Sequence, residues 1–168
     1  MFESHRLLRA TLTAAALALV ASTPVGAQSS GAGDAKEINS YTLTDTGLAK
    51  YTQAERNLEP LARKAAADCD TDDSDDSENG TTIDQAVAKL NSTAGAAAAI
   101  KSAGMTTREY VVFSMAVFQS GMAAWGLSQP GGNLPPGVSM GNVNFYRKHQ
   151  AALQELGQST RSADCDDE

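Results

Sequence analysis

Residues 105–127 read MTTREYVVFSMAVFQSGMAAWGL, and the reading of this stretch decides the fold. Thr106 and Glu109 have the Thr-x-x-Glu spacing of a capping box, in which each side chain satisfies a backbone N–H at a helix start. No residue from Tyr110 to Leu127 is charged. Val111, Val112, Phe113, Met115, Val117, Phe118, Met122, Trp125 and Leu127 point in nearly every direction around a 3.6-residue wheel. A helix apolar all round belongs inside a protein or inside a bilayer. About 18 uncharged residues is the lower edge of a bilayer span, but Ser114, Gln119, Ser120 and Gly121 dilute this one and no basic cluster follows it. We therefore expect a central core helix over about 106–127, buried on most of its surface. Ser114 and Gly121 lie seven apart on one face, where a neighbouring helix can approach closely.

Outward from this helix, the flanks read as helices and loops. Residues 1–27 have the three regions of a secretory signal: Arg6 and Arg9, an apolar run from Ala10 to Val20, and the small-residue pattern Val25-Gly26-Ala27 with the cut after Ala27. Cleavage leaves 141 of the 168 residues, enough for one domain with a real core. Residues 28–40, rich in Ser, Gly and Ala, read as a flexible leader. A helical domain spans 41–157. In its first helix Thr44 is the cap, and Leu43 and Leu48 have hydrophobic-staple spacing. Tyr51, Ala54, Leu58, Leu61 and Ala65 continue its apolar face past Pro60, where a kink is expected.

A second helix starts at Thr82, again with capping-box spacing, to Gln85. Its stripe is Ile83, Ala86, Val87 and Leu90. Residues 91–93 either break it or let it run into the alanine-rich 94–100, and Gly104 stops the chain before the core helix. Residues 128–141 are dense in Pro and Gly and read as a loop. The last helix is capped by Ser139 or Asn142, carries the stripe Val143, Tyr146, His149, Leu153 and Leu156, and ends at Gly157. Residues 158–168 are a polar, acidic tail. No stretch alternates as a strand, so the fold class is all-α: a four- to five-helix bundle around the apolar helix.

Two segments concentrate acid. Residues 68–80, DCDTDDSDDSENG, carry seven carboxylates, and the tail closes on Asp164, Asp166, Asp167 and Glu168. Each holds one of the two cysteines, Cys69 and Cys165, in nearly identical Ala-Asp-Cys-Asp settings. In an oxidising compartment an even cysteine count favours a disulfide, and the neighbouring carboxylates disfavour a reactive thiolate. Such a bridge would bring Asp68, Asp70, Asp72 and Asp73 near Asp164 and Asp166, a set of oxygens fit for weak calcium binding. The plainer reading is a solvated acidic loop, and it is not an EF-hand: Asp73 stands where the glycine belongs and Asn79 where the glutamate belongs.

Other chemistry is sparse. There is no basic stripe with interleaved aromatics, so nucleic acid is not an expected partner. Phosphate loops and zinc-ligand clusters are absent from the sequence. His149 is the one histidine left after signal removal, and no nucleophile motif accompanies it, which argues against a hydrolase. Packing is its plain role. The sharper one is a non-covalent haem ligand opposite Met105, Met115, Met122 or Met140.

Three fragments stand together: Leu43-Thr44 followed by Lys50-Tyr51; Met105-Thr106-Thr107-Arg108-Glu109-Tyr110; and Leu134-Pro135-Pro136-Gly137-Val138-Ser139 leading to Asn142-Val143 and Phe145-Tyr146. They resemble a family of small exported all-helical proteins of Gram-negative bacteria that carry no assigned activity. That resemblance implies a helical fold and an exported location, and no functional residue follows from it. The expectation is a periplasmic or secreted non-enzymatic protein that binds a protein partner or a small ligand, with cation or haem binding as the alternative. For a binding protein the deciding feature would be an apolar cavity or groove beside Met115, Met122 and Trp125.

Overall fold

The computed structural model describes residues 29–67 and 81–161. Among them are six helices and no strand: α1 Ser29–Ser40, α2 Asp45–Ala67, α3 Ile83–Ser92, α4 Ala96–Ser102, α5 Thr107–Leu127 and α6 Met140–Arg161. The fold is all-α, and α5 touches each of the other five helices. This is the central helix expected from residues 106–127.

The caps explain where several helices begin. The Thr44 hydroxyl accepts from Gly47 N–H at 3.0 Å ahead of α2. Thr82 forms both halves of its capping box, accepting from Gln85 N–H and donating its own N–H to Gln85 Oε1. Thr106 accepts from Glu109 N–H at 3.1 Å at the start of α5. Each cap satisfies a donor that the helix itself leaves without a partner, typically worth ~1 kcal/mol. Gly104 stands at φ 80 after α4, a backbone region open to glycine, and so ends that helix as expected.

The core has three clusters along α5. Phe113 and Ala116 pack with Leu43, Leu48, Ala54, Ile100 and Met105, so the two staple leucines lie buried in one cluster. Val111 and Val112 pack with Ile83 of α3. Ala123 packs with Val138 and Val143 at the start of α6. Phe113 is fully buried, stacked on Tyr51 at a 4.8 Å centroid distance, with Tyr41 edge-on at 6.2 Å. Burial of one such side chain contributes roughly 1.5–3 kcal/mol. Asn57 ties α2 to α4, donating to Ala99 C=O and Ser102 Oγ.

Three expectations need correction. The first concerns the leader. Residues 29–40 form α1, because tertiary contacts hold what composition does not: Ile38 packs on the α5 clusters, Asp34 accepts from Ile83 N–H at 2.9 Å, and Asn39 Oδ1 accepts from Gln119 at 2.8 Å. Glu37 pairs with Arg108. This is the helix that takes the count beyond four or five.

The second concerns α6, which continues past Gly157 to Arg161. A glycine ends a helix by turning left-handed, whereas Gly157 keeps a negative φ and costs only about 1 kcal/mol of propensity. Asn142, one of the two caps proposed for this helix, lies inside it. It is buried, its Oδ1 accepts from Leu43 N–H at 3.0 Å and its Nδ2 donates to Tyr41 C=O at 2.8 Å, so it clamps the α1–α2 connection.

The third concerns α5 itself. It is not buried on most of its surface: Phe118, Met122 and Trp125 are 70 %, 53 % and 64 % exposed. The helix has the length and apolarity of a bilayer span, with 39 % of its most apolar window buried in the fold. Helices α1 and α3 cover one end, and nothing among the described residues covers the outer face of the other.

Candidate functional site

The uncovered face of α5 forms one wall of a groove of about 570 Å³. Helix α5 contributes Ser114, Val117, Phe118, Gly121, Met122 and Trp125. Helix α6 contributes Tyr146, Leu153, Gln154, Leu156 and Gly157, and α2 contributes Tyr51 and Glu55. The volume is of the size that small-molecule sites have, and the lining has their character, apolar and aromatic with few polar groups.

Local sequence explains the shape. On α5 the positions 114, 118, 121, 122 and 125 follow helical spacing, so they share a face. Gly121 lets α6 come close: a Cβ added there would lie 2.9 Å from the Tyr146 ring. The close approach anticipated on the Ser114–Gly121 face is therefore made by Tyr146 at the glycine, while Ser114 lines the groove. The apolar stripe of α6 divides as well. Val143 is fully buried in the core, whereas Tyr146, Leu153 and Leu156 line the groove.

One end of the groove is polar. Tyr110 Oη donates to Glu55 Oε1 at 2.7 Å, and the Tyr51 and Tyr110 rings stack with centroids 5.1 Å apart. Burial, above all, pushes both phenol pKa values well above their ordinary value of 10, and the Glu55 charge adds to the shift. Both hydroxyls thus stay protonated at neutral pH, and that of Tyr110 donates to Glu55. Among the described residues Glu55 is the one acidic or basic residue lining the groove. Its carboxylate keeps further acceptor positions beyond the one taken by Tyr110. No lysine or arginine of the described residues lies within 4.0 Å of it. Four other carboxylates have such partners, Glu37 and Asp84 sharing Arg108, Asp45 meeting Lys148 and Glu59 meeting Arg63, but none of these four lines the groove.

The groove contains two of the three residues named for it from sequence. Met122 and Trp125 line it, while Met115 packs beside the Ile83 cluster. Helical periodicity identified the apolar positions of α5 but not which of them would stay open. Glu55 is the component missed. No local pattern in the sequence reveals that Tyr110, 55 residues on, points at it.

His149 lies elsewhere. Its Nε2 is 2.7 Å from Asp45 Oδ1 at the start of α2, and its ring packs on Phe145 at 4.5 Å. The Asp45 carboxyl is held below its ordinary value, chiefly by the Lys148 hydrogen bond. The methionines considered as haem partners are dispersed: Met105 is in the core, Met115 beside α3, Met122 in the groove and Met140 at the exposed start of α6. The disulfide pair Cys69 and Cys165, and the calcium candidates Asp68, Asp70, Asp72, Asp73, Asp164 and Asp166, lie outside the described residues, as does the signal over 1–27. Comparison with protein-family models, with curated proteins and with solved structures finds no match to this chain.

Proposed function

We propose that this chain is an exported, non-enzymatic binding protein whose groove between α2, α5 and α6 takes a small, largely apolar ligand. Export rests on the three ordered regions of residues 1–27. The observation that carries the binding reading is the open face of α5: three large apolar side chains, Phe118, Met122 and Trp125, line an aromatic hollow with no helix of the described residues over them. Leaving such a patch in water costs roughly 25 cal/mol per Å² of apolar surface, which a ligand recovers on binding.

Trp125 is the single tryptophan of the chain and sits on the groove wall, so its emission reports occupancy. Titration with decanol, a neutral apolar probe, is expected to shift that emission to the blue and to saturate. Met122→Asp, a change at a half-exposed position, is expected to remove the response while the fold remains. A flat titration with the wild-type protein sinks the proposal.

A second reading comes from the spacing of Phe118, Met122 and Trp125. Steps of four and three are the anchor spacing of a helix that docks against another protein. Sedimentation equilibrium separates the two, since a dimer that forms with rising concentration and buries Trp125 without any probe favours the protein partner.

A further inference from the structure

We infer that the groove selects a cationic amphiphile, an apolar chain or ring body carrying an amine or quaternary ammonium head, with Glu55 as the counter-charge. This rests on the groove reading above and adds the chemistry of its polar end. The first observation is charge. Among the described residues Glu55 is the only acidic or basic side chain lining the hollow, and unlike Glu37, Asp45, Glu59 and Asp84 it has no basic partner within 4.0 Å.

The second observation is orientation. Tyr110 Oη holds Oε1 of that carboxylate at 2.7 Å, which fixes the group and leaves its other lone pairs for a donor arriving through the groove. The third is the wall. Tyr51, Phe118, Trp125 and Tyr146 bring four aromatic rings to one hollow, and ring faces attract ammonium groups. A carboxylate-headed ligand would meet Glu55 with like charge, and a neutral head would leave the charge unpaired.

Three probes with one ten-carbon chain, decyltrimethylammonium, decanol and decanoate, are titrated below their micelle concentrations and followed by Trp125 emission. Decyltrimethylammonium is expected to bind about tenfold more tightly than decanol, with decanoate weakest, and added salt should narrow the gap. Glu55→Gln is expected to bring the ratio of decyltrimethylammonium to decanol affinity down to about one, whatever it does to either affinity alone. That result would separate a local counter-charge from general attraction to an acidic protein. The inference is overturned if wild-type protein binds the cation no better than decanol, or if Glu55→Gln retains the preference. Because the wild-type comparison decides by itself, the inference stays testable even should the variant misfold. Decanol binding without cation preference leaves the groove standing and removes only its selectivity; no binding by any probe removes both.

Discussion

The two halves of α5 are made of similar residues and end in opposite situations. In the first half Val111, Val112 and Phe113 are buried; in the second Phe118, Met122 and Trp125 face solvent. The helix is apolar all round in both. What differs is the company. Helices α1 and α3 and the start of α2 close over the first half, held by Glu37, Asp84 and Arg108 at the rim and by Asn142 beneath the α1–α2 connection. The second half has α6 and the 128–139 loop on one side, and the groove on the other. Apolarity therefore placed α5 among its neighbours, and the supply of neighbours decided which apolar residues became core.

Paired substitutions attack this contrast most directly. Phe113→Ala removes a fully buried ring stacked on Tyr51 and is expected to cost about 3–5 kcal/mol in urea unfolding. Phe118→Ala, five residues on and 70 % exposed, is expected to change stability by less than ~0.5 kcal/mol while weakening decanol binding. Equal losses at the two positions would mean that the second half is also covered.

The closure of the first half is probed next. Asn142→Ala leaves the Leu43 N–H and the Tyr41 C=O without their partners, at a cost of about 2–3 kcal/mol. The loss should appear as a lower denaturation midpoint with decanol affinity retained, since Asn142 does not line the groove.

The smallest effect is expected at the rim. The Arg108 hydrogen bond beside Glu37 holds that carboxyl below its ordinary 4.5. A carboxyl lowered in the folded state contributes stability that is present above its unfolded pKa and is lost as pH falls through its folded pKa. Hydrogen exchange of the α1 amides is therefore expected to quicken as pH falls below that ordinary 4.5, after allowance for intrinsic rates. Arg108→Gln should quicken it already at neutral pH and flatten that acid dependence. Both partners are substantially exposed, so the effect on global stability should be slight.

Much of the fold is legible without coordinates because its information is local. Thr44, Thr82 and Thr106 mark helix starts through a cap within three residues. Gly104 marks a stop, and the staple of Leu43 and Leu48 identifies two core residues. The limits appear where local and long-range forces disagree. Residues 29–40 have the composition of a linker, yet α1 forms because Asp34, Glu37 and Asn39 each find a hydrogen-bond partner at least 49 residues away in sequence and Ile38 packs on the core clusters. Gly157 looks like a terminator, yet α6 passes through it.

For the candidate site the division is sharper. Met122 and Trp125 could be named from periodicity and residue type, and the glycine at 121 marked a place of close approach. Residue order alone was enough for an all-helical chain organised on one apolar helix, because capping, helical period and the burial of apolar side chains act over a few residues or on composition. It took the packed fold to leave half of that helix uncovered by the described residues, to set Tyr146 above Gly121, and to bring Tyr110 to Glu55 at the end of an aromatic hollow. Those outcomes depend on which helices are left to cover α5 and where they cross, and no periodicity within a single segment encodes that.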